Sequence, residues 1–256
     1  MTRKTSRRDR DSGNLYEPPA YAGVKSETTL ITQDIEAIVF DLDGTLVHST
    51  IDYQKMVSGV TEILKTKGIE VDASQRRIWE IIQRSEEALK DMGRNPSEME
   101  ELLPEITAHL NAVELENMDK VTPIEGAKET LQELKAMGLR IGIATRSCNA
   151  FTKEALRRTE MDRVVDVFLA RDDTPFPKPD PRHLIQVIKA LKAPLDKAMF
   201  IGDTTTDLKT AREAGVAFVG IPSRPEWAER FKQEGCENLI QNLRQLPTLL
   251  NKPKTP

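Results

Sequence analysis

Two aspartates, two residues apart, close a run of strand-forming apolar residues: Ala37, Ile38, Val39 and Phe40, then Asp41, Leu42, Asp43, Gly44, Thr45 and Leu46. A buried strand that ends this way delivers charge to its carboxyl end. That is the edge at which open parallel α/β sheets bind ligands. Spaced by two, Asp41 and Asp43 can project to the same side. Close carboxylates repel each other and are costly to desolvate unless a cation joins them. A hard divalent cation with oxygen ligands, Mg²⁺ foremost, resolves both costs. Gly44 permits the sharp turn or close backbone approach that follows. An EF-hand reading fails because Leu46 and Val47 interrupt the ligand spacing. A chance acidic turn is the plain alternative.

Three later clusters supply what this stretch lacks. Thr145 follows the apolar run 139–144 and offers a hydroxyl to a phosphate oxygen. Lys178 stands between Pro177 and Pro179, a fixed positive charge in a stiffened loop. Gly202, Asp203, Thr204, Thr205, Thr206 and Asp207 follow the run 198–201. Asp203 adds a carboxylate for the cation, and Asp207 is placed to orient Lys178 or a metal-bound water. Singly, these are a helix cap, a solvated lysine and a turn. In this order, each after a strand, they describe a site for phosphoryl transfer, which needs equatorial oxygens neutralised and an in-line nucleophile.

The elements that must position them follow from periodicity. From Val121 onward helices at 124–137, 149–158 and up to 191 alternate with strands at 139–144, 165–170, 198–201 and 216–220. Such alternation predicts an α/β fold, a Rossmann-like parallel sheet with helices on both faces. The stretch 49–119 carries no strand pattern. Helical spacing recurs in Met56, Val60 and Leu64, in Ile78, Ile81 and Leu89, and in Met99, Leu102, Ile106, Leu110 and Val113. This predicts a small all-helical insertion, with Pro104 restarting or kinking its third helix. The core is then 34–48 and 120–256. Arg76, Arg77, Arg84 and Arg94 on the insertion either meet an anionic substrate or, as most helix arginines do, face solvent. His48 and His109 lack a metal-ligand pattern and read as structural or surface residues.

Composition bounds the function. The chain has 256 residues, 38% hydrophobic and 30% charged, with a net charge of -4. That describes a soluble globular protein with no general attraction for nucleic acid or anionic membrane. No apolar run approaches a membrane span. Cys148 and Cys236 make neither a disulfide framework nor a metal-ligand spacing, which suits a reducing, cytoplasmic setting. Residues 1–33 carry Arg3, Lys4, Arg7, Arg8 and Arg10 early, then Gly13, Pro18, Pro19 and Gly23, without apolar periodicity. They read as a disordered basic tail; a basic arm for an acidic partner and an organellar transit segment are the alternatives.

The four motifs together resemble the haloacid dehalogenase superfamily, specifically its phosphoglycolate-phosphatase-like branch, over about residues 35–250. The helical insertion resembles that family's cap. The resemblance implies that Asp41 attacks phosphorus and that Asp43 protonates the leaving group and then activates water. It implies Mg²⁺ between Asp41, the backbone carbonyl of Asp43 and Asp203, with Thr145 and Lys178 on the phosphoryl oxygens. Gly44, Thr45, Arg146 and Asp207 are supporting residues. Two departures bear on the substrate: His48 stands where an acidic residue is common, and Arg146 where asparagine is frequent. The expected function is a Mg²⁺-dependent phosphatase for a small phosphorylated metabolite. The alternatives are a phosphosugar mutase of the β-phosphoglucomutase type and a non-catalytic interaction protein, the latter disfavoured by the intact charge set.

Overall fold

The computed structural model describes residues 34–74 and 77–250. The expected basic tail and Arg76 lie outside them. The central strand, β1 (Ala37–Phe40), is buried along its whole length. After it come β2 (Val47–His48), β3 (Thr122–Pro123), β4 (Arg140–Ala144), β5 (Val167–Leu169), β6 (Ala198–Gly202) and β7 (Ala217–Gly220). Five of these form one sheet of order β5-β4-β1-β6-β7, and every pairing in it is parallel. A parallel strand covered on both faces needs apolar residues throughout, and β1 has them.

Alternation along β1 divides the core. Ile38 and Phe40 pack with Leu131, Leu134, Phe151 and Leu246. These come from α4 (Ala127–Ala136), α5 (Asn149–Arg158) and α9 (Gln245–Leu250). Ala37 and Val39 pack with Leu184, Val187, Leu208 and Phe231. These come from α6 (Pro181–Ala190), α7 (Thr205–Ala214) and α8 (Pro225–Gln233). The expected Rossmann-like layering is therefore present. The chain steps outward from β1 to β4 and β5, then crosses back to β6 on the other side of β1. That reversal opens a crevice at the carboxyl end of β1.

The insertion consists of α1 (Tyr53–Thr66), α2 (Ile78–Asp91) and α3 (Glu98–Leu115). It has its own core, in which Met56, Val60 and Leu64 meet Ile81, Leu89, Met99, Ile106 and Leu110. His109 is structural, as expected: its Nε2 lies 3.1 Å from the Lys55 carbonyl oxygen. The helix α3 runs on through Pro104 rather than restarting there. The carbonyl deprived of a partner is that of Glu100, an exposed residue near the helix start, where water can replace the missing N–H.

Sequence reading did not find how the insertion is tied on. Its two connections pair with each other, β2 with β3, as a short antiparallel ribbon, and His48 is exposed on it. No described helix is long and apolar enough to cross a membrane.

Candidate active site

The four motifs converge at the carboxyl edge of the sheet. Asp41 extends β1, its N–H donating to the Ile201 carbonyl at 2.8 Å. Gly44 has a φ of 87°, a conformation glycine adopts without steric cost, and its N–H donates to the Val47 carbonyl at 2.9 Å. Any Cβ at this position would collide with the Asp203 carboxylate. The glycine thus closes the turn and makes room for a residue 159 positions away in sequence (203 minus 44).

Lys178 is 2% exposed, although charged. Its Nζ donates to Asp41 Oδ1 and to Asp207 Oδ1, both at 2.7 Å, and lies 5.1 Å from the centre of the Phe200 ring. Burial alone would push the ammonium pKa down, but Asp207 and Asp41 outweigh it and the pKa is raised. Asp207 sits in the first turn of α7, where its Oδ2 accepts from the Thr204 N–H at 3.1 Å and the Thr204 hydroxyl at 2.6 Å. Burial opposes its charge too, yet Lys178 and Thr204 hold its carboxyl below the usual range. Sequence reading placed Asp207 to orient either Lys178 or a metal-bound water, and the geometry brings it onto Lys178.

Asp41 is pushed up to about 6, first by burial and partly by Asp207, with Lys178 pulling the other way. Asp203 is pushed up further, to about 8, by burial and then by the charges of Asp41 and Asp207. Its Oδ2 accepts from the Ser223 hydroxyl at 3.2 Å, while its Oδ1 is buried with no hydrogen-bond partner among the described residues. Asp41, Asp203 and Asp207 each bring one carboxylate oxygen within 4.8 Å of the others. Asp207 is already engaged by Lys178 and Thr204, so Asp41 and Asp203 are the two with capacity to spare. Crowded oxygen donors, one of them orphaned and destabilised as an anion, fit a hard divalent cation.

Asp43 lies outside that trio, and its Oδ2 accepts from the Tyr53 hydroxyl of α1 at 2.7 Å. Tyr53 is 56% exposed as a whole, yet desolvation of its hydroxyl end and then the Asp43 charge raise the phenol pKa well above its ordinary value. Thr145 is buried at the end of β4, its Oγ1 accepting from the Ser147 N–H at 3.1 Å. Thr45 is buried beneath the turn, its hydroxyl without a partner among the described residues.

The insertion meets the core at two further places. Arg77, at the start of α2, donates to the Thr206 hydroxyl at 2.6 Å and to the Thr205 hydroxyl at 3.4 Å. Burial and then the charge of Arg146 lower the Arg77 pKa. The charge of Arg146 also favours the ionised forms of Tyr53 and Asp207. On α3, Glu114 is 2% exposed and accepts from the Cys148 N–H at 2.6 Å and from Arg171 at 2.5 Å. Arg171 also donates to Asn111 of α3 at 2.5 Å and to the Arg146 carbonyl at 2.8 Å. Cys148 is a packing residue: burial and then Glu114 push its thiol up to about 12.

Tyr53, Glu114, Arg171 and Ser223 were not singled out from the sequence. Each meets its partner only in the folded chain, from 10 residues away for Tyr53 to 57 for Glu114 and Arg171, and no local pattern marks it. Arg77 was noted there only as one of several insertion arginines.

Known proteins resemble this chain in sequence and in fold. The chain is 28% identical to pyrophosphatase PpaX of Halalkalibacterium halodurans, over 85% of this chain and 96% of that one. It is 28% identical to phosphoglycolate phosphatase of Pseudomonas fluorescens, over 82% of this chain and 77% of that one. Among solved structures, a hydrolase from Pseudomonas syringae matches with a TM-score of 0.58 and 25% identity, over 84% of this chain and 98% of that one. The family model for haloacid dehalogenase-like hydrolases matches residues 38–221, and the chain belongs to that family.

Proposed function

We propose that this protein is a phosphatase that hydrolyses a small phosphorylated metabolite through a phosphoryl group carried on Asp41. The observation that carries this reading is the buried Lys178 ammonium held 2.7 Å from Asp41 Oδ1, beside the under-coordinated Asp203. Asp41 supplies the carboxylate, whose charged form the Lys178 ammonium supports. Its oxygen attacks phosphorus, the bond from phosphorus to the leaving oxygen breaks, and Asp43 gives that oxygen a proton. Asp43 then takes a proton from water, the water oxygen bonds to phosphorus, and the bond to Asp41 breaks. Lys178 and the Thr145 hydroxyl neutralise and orient the phosphoryl oxygens.

Asp41, Asp203 and the backbone carbonyl of Asp43 would hold a Mg²⁺ ion. That ion would supply charge neutralisation for the phosphoryl oxygens. Tyr53 brings α1 onto Asp43, and Arg77 brings α2 onto α7, so the insertion (49–119) is the lid of this site.

The substrate class follows from the rim. Arg77 on the insertion and Arg146 after β4 are the guanidinium groups that would meet a second anion on the substrate. Two relatives are named for pyrophosphate and phosphoglycolate, small molecules with a second anionic group beside the phosphoryl group. We assign this chain substrates of that kind. The test is phosphate release in Mg²⁺ from pyrophosphate, phosphoglycolate, sugar phosphates and a simple alkyl phosphate. The compounds with a second anion should lead in kcat/KM; preference for the alkyl phosphate contradicts the substrate assignment, and no release from any contradicts the phosphatase reading.

A further inference from the structure

His183 is fully buried in the first turn of α6, and nothing in the mechanism above uses it. Its two ring nitrogens are both engaged. The Lys178 backbone N–H donates to Nδ1 at 3.1 Å, and Nε2 lies 3.1 Å from the Leu169 carbonyl oxygen. Nδ1 is thereby an acceptor, which leaves the proton on Nε2 for donation to Leu169. The same Leu169 carbonyl, at the end of β5, also accepts the Thr145 N–H at 3.1 Å. One imidazole therefore joins the backbone of Lys178 to the carbonyl that fixes the backbone of Thr145.

We infer that His183 is a positioning residue for phosphoryl binding, setting the distance between Lys178 and Thr145 by acting as a neutral two-ended brace. Lys178 lies in a loop, not on a strand. Its backbone needs a partner deep in the core to hold its ammonium on Asp41 and Asp207. The ring's surroundings favour the neutral form this requires. Burial, then the charge of Lys178, push the His183 pKa down to about 4, against the weaker pull of the Leu169 carbonyl, Asp173 and Asp180. A lysine and a threonine that share one phosphoryl group must be placed together, and small displacements in such sites are costly. A leucine or phenylalanine would fill the same space. It would leave the Lys178 N–H buried without an acceptor.

The inference rests on the phosphatase reading, and its test is separable from it because inorganic phosphate can be used as a ligand. The set is His183→Leu, which loses both bonds, His183→Asn, whose Oδ1 stands in for Nδ1, and His183→Gln, whose Nε2 stands in for the ring Nε2. Phosphate affinity is measured by calorimetry with Mg²⁺, together with kcat for the best ester, each well below the variant's own Tm. His183→Leu should weaken phosphate binding and lower kcat, each by about 10-fold or more. His183→Asn should recover most of both, and His183→Gln less, because Leu169 retains the Thr145 N–H while the Lys178 N–H has no other acceptor among the described residues. A folded His183→Leu protein within twofold of wild type on both readouts overturns the inference. If His183→Leu does not fold, the Asn and Gln variants decide: Asn above Gln supports the brace, and equal or inverted values overturn it. Should wild type release phosphate from no ester, the phosphatase reading fails, and the phosphate affinities alone decide the role of His183.

Discussion

Tyr53 of the helical insertion donates its hydroxyl to Asp43 of the core at 2.7 Å, ten residues away in sequence and across the mouth of the site. The proposed acid–base residue is thus complete only when the insertion lies over the sheet. Tyr53→Phe removes the one hydroxyl and keeps the ring. It should lower kcat about 10-fold, in the range of a positioned hydrogen bond to a reacting group, with Tm nearly unchanged. Steady-state kinetics beside a thermal melt check this; an unchanged kcat would separate Tyr53 from Asp43 function.

Lys178 neutralises two buried carboxylates at once. Lys178→Met leaves both facing each other without a cation, at a cost on the order of 3–5 kcal/mol. That should lower Tm by about 10 °C, given roughly 2–4 °C per kcal/mol for a chain of this size. Adding Asp207→Asn to Lys178→Met should restore part of the Tm and none of the activity. If the double variant melts no higher than the single one, the carboxylate repulsion is not what the lysine relieves.

Much of this site was legible in the sequence, for a physical reason. Asp41, Thr145 and Asp203 each end an apolar run, and the alternation of strand and helix puts such ends on one edge of a parallel sheet. Lys178 was legible through its prolines and its order in the chain. What stayed hidden was what each residue touches. Glu114 reads as one more acid on an acidic helix, yet it is buried against Arg171, 57 residues on. His183 lies five residues after Lys178 and looks like any helix residue until the fold brings Leu169 to its other nitrogen. The pairing of β2 with β3 escaped for a related reason: two residues on each side are too few to show a period.

Asp203 gives a pH test. Its pKa rises from 3.8 in the unfolded chain to about 8 in the cation-free fold. Between those values the folded state holds a proton that the unfolded state has lost, so its contribution to stability should fall as pH climbs from about 4 to 8. His183, whose pKa is pushed down from 6.5 to about 4, pulls the other way below 6.5, so without divalent cation Tm should drop between about pH 6.5 and 8, and Asp203→Asn should flatten that drop and raise Tm at pH 8 by roughly 3 °C or more. The same variant should lose the Tm increase that Mg²⁺ gives wild type at pH 8. A wild-type Tm indifferent to Mg²⁺ at pH 8 would remove Asp203 from any cation site.

Arg146 bears on substrate choice. Arg146→Asn takes one guanidinium from the rim without touching Asp41 or Lys178. KM for pyrophosphate and phosphoglycolate should rise about 10-fold or more, the scale of one charge-assisted contact, while KM for a simple alkyl phosphate changes little. Equal effects on all substrates would place Arg146 outside second-anion recognition.

The central claim is that phosphorus is carried on Asp41, and it can be read chemically. Borohydride added during turnover of the best substrate reduces an acyl phosphate to an alcohol with release of phosphate, which converts the phosphorylated aspartate to homoserine. Peptide mass spectrometry then locates the change. The expected result is homoserine at position 41 in protein quenched with substrate, absent without substrate and absent in Asp41→Asn, which should also release no phosphate. Conversion at another carboxylate, or an Asp41→Asn variant that releases phosphate at a substantial fraction of the wild-type rate, would contradict it.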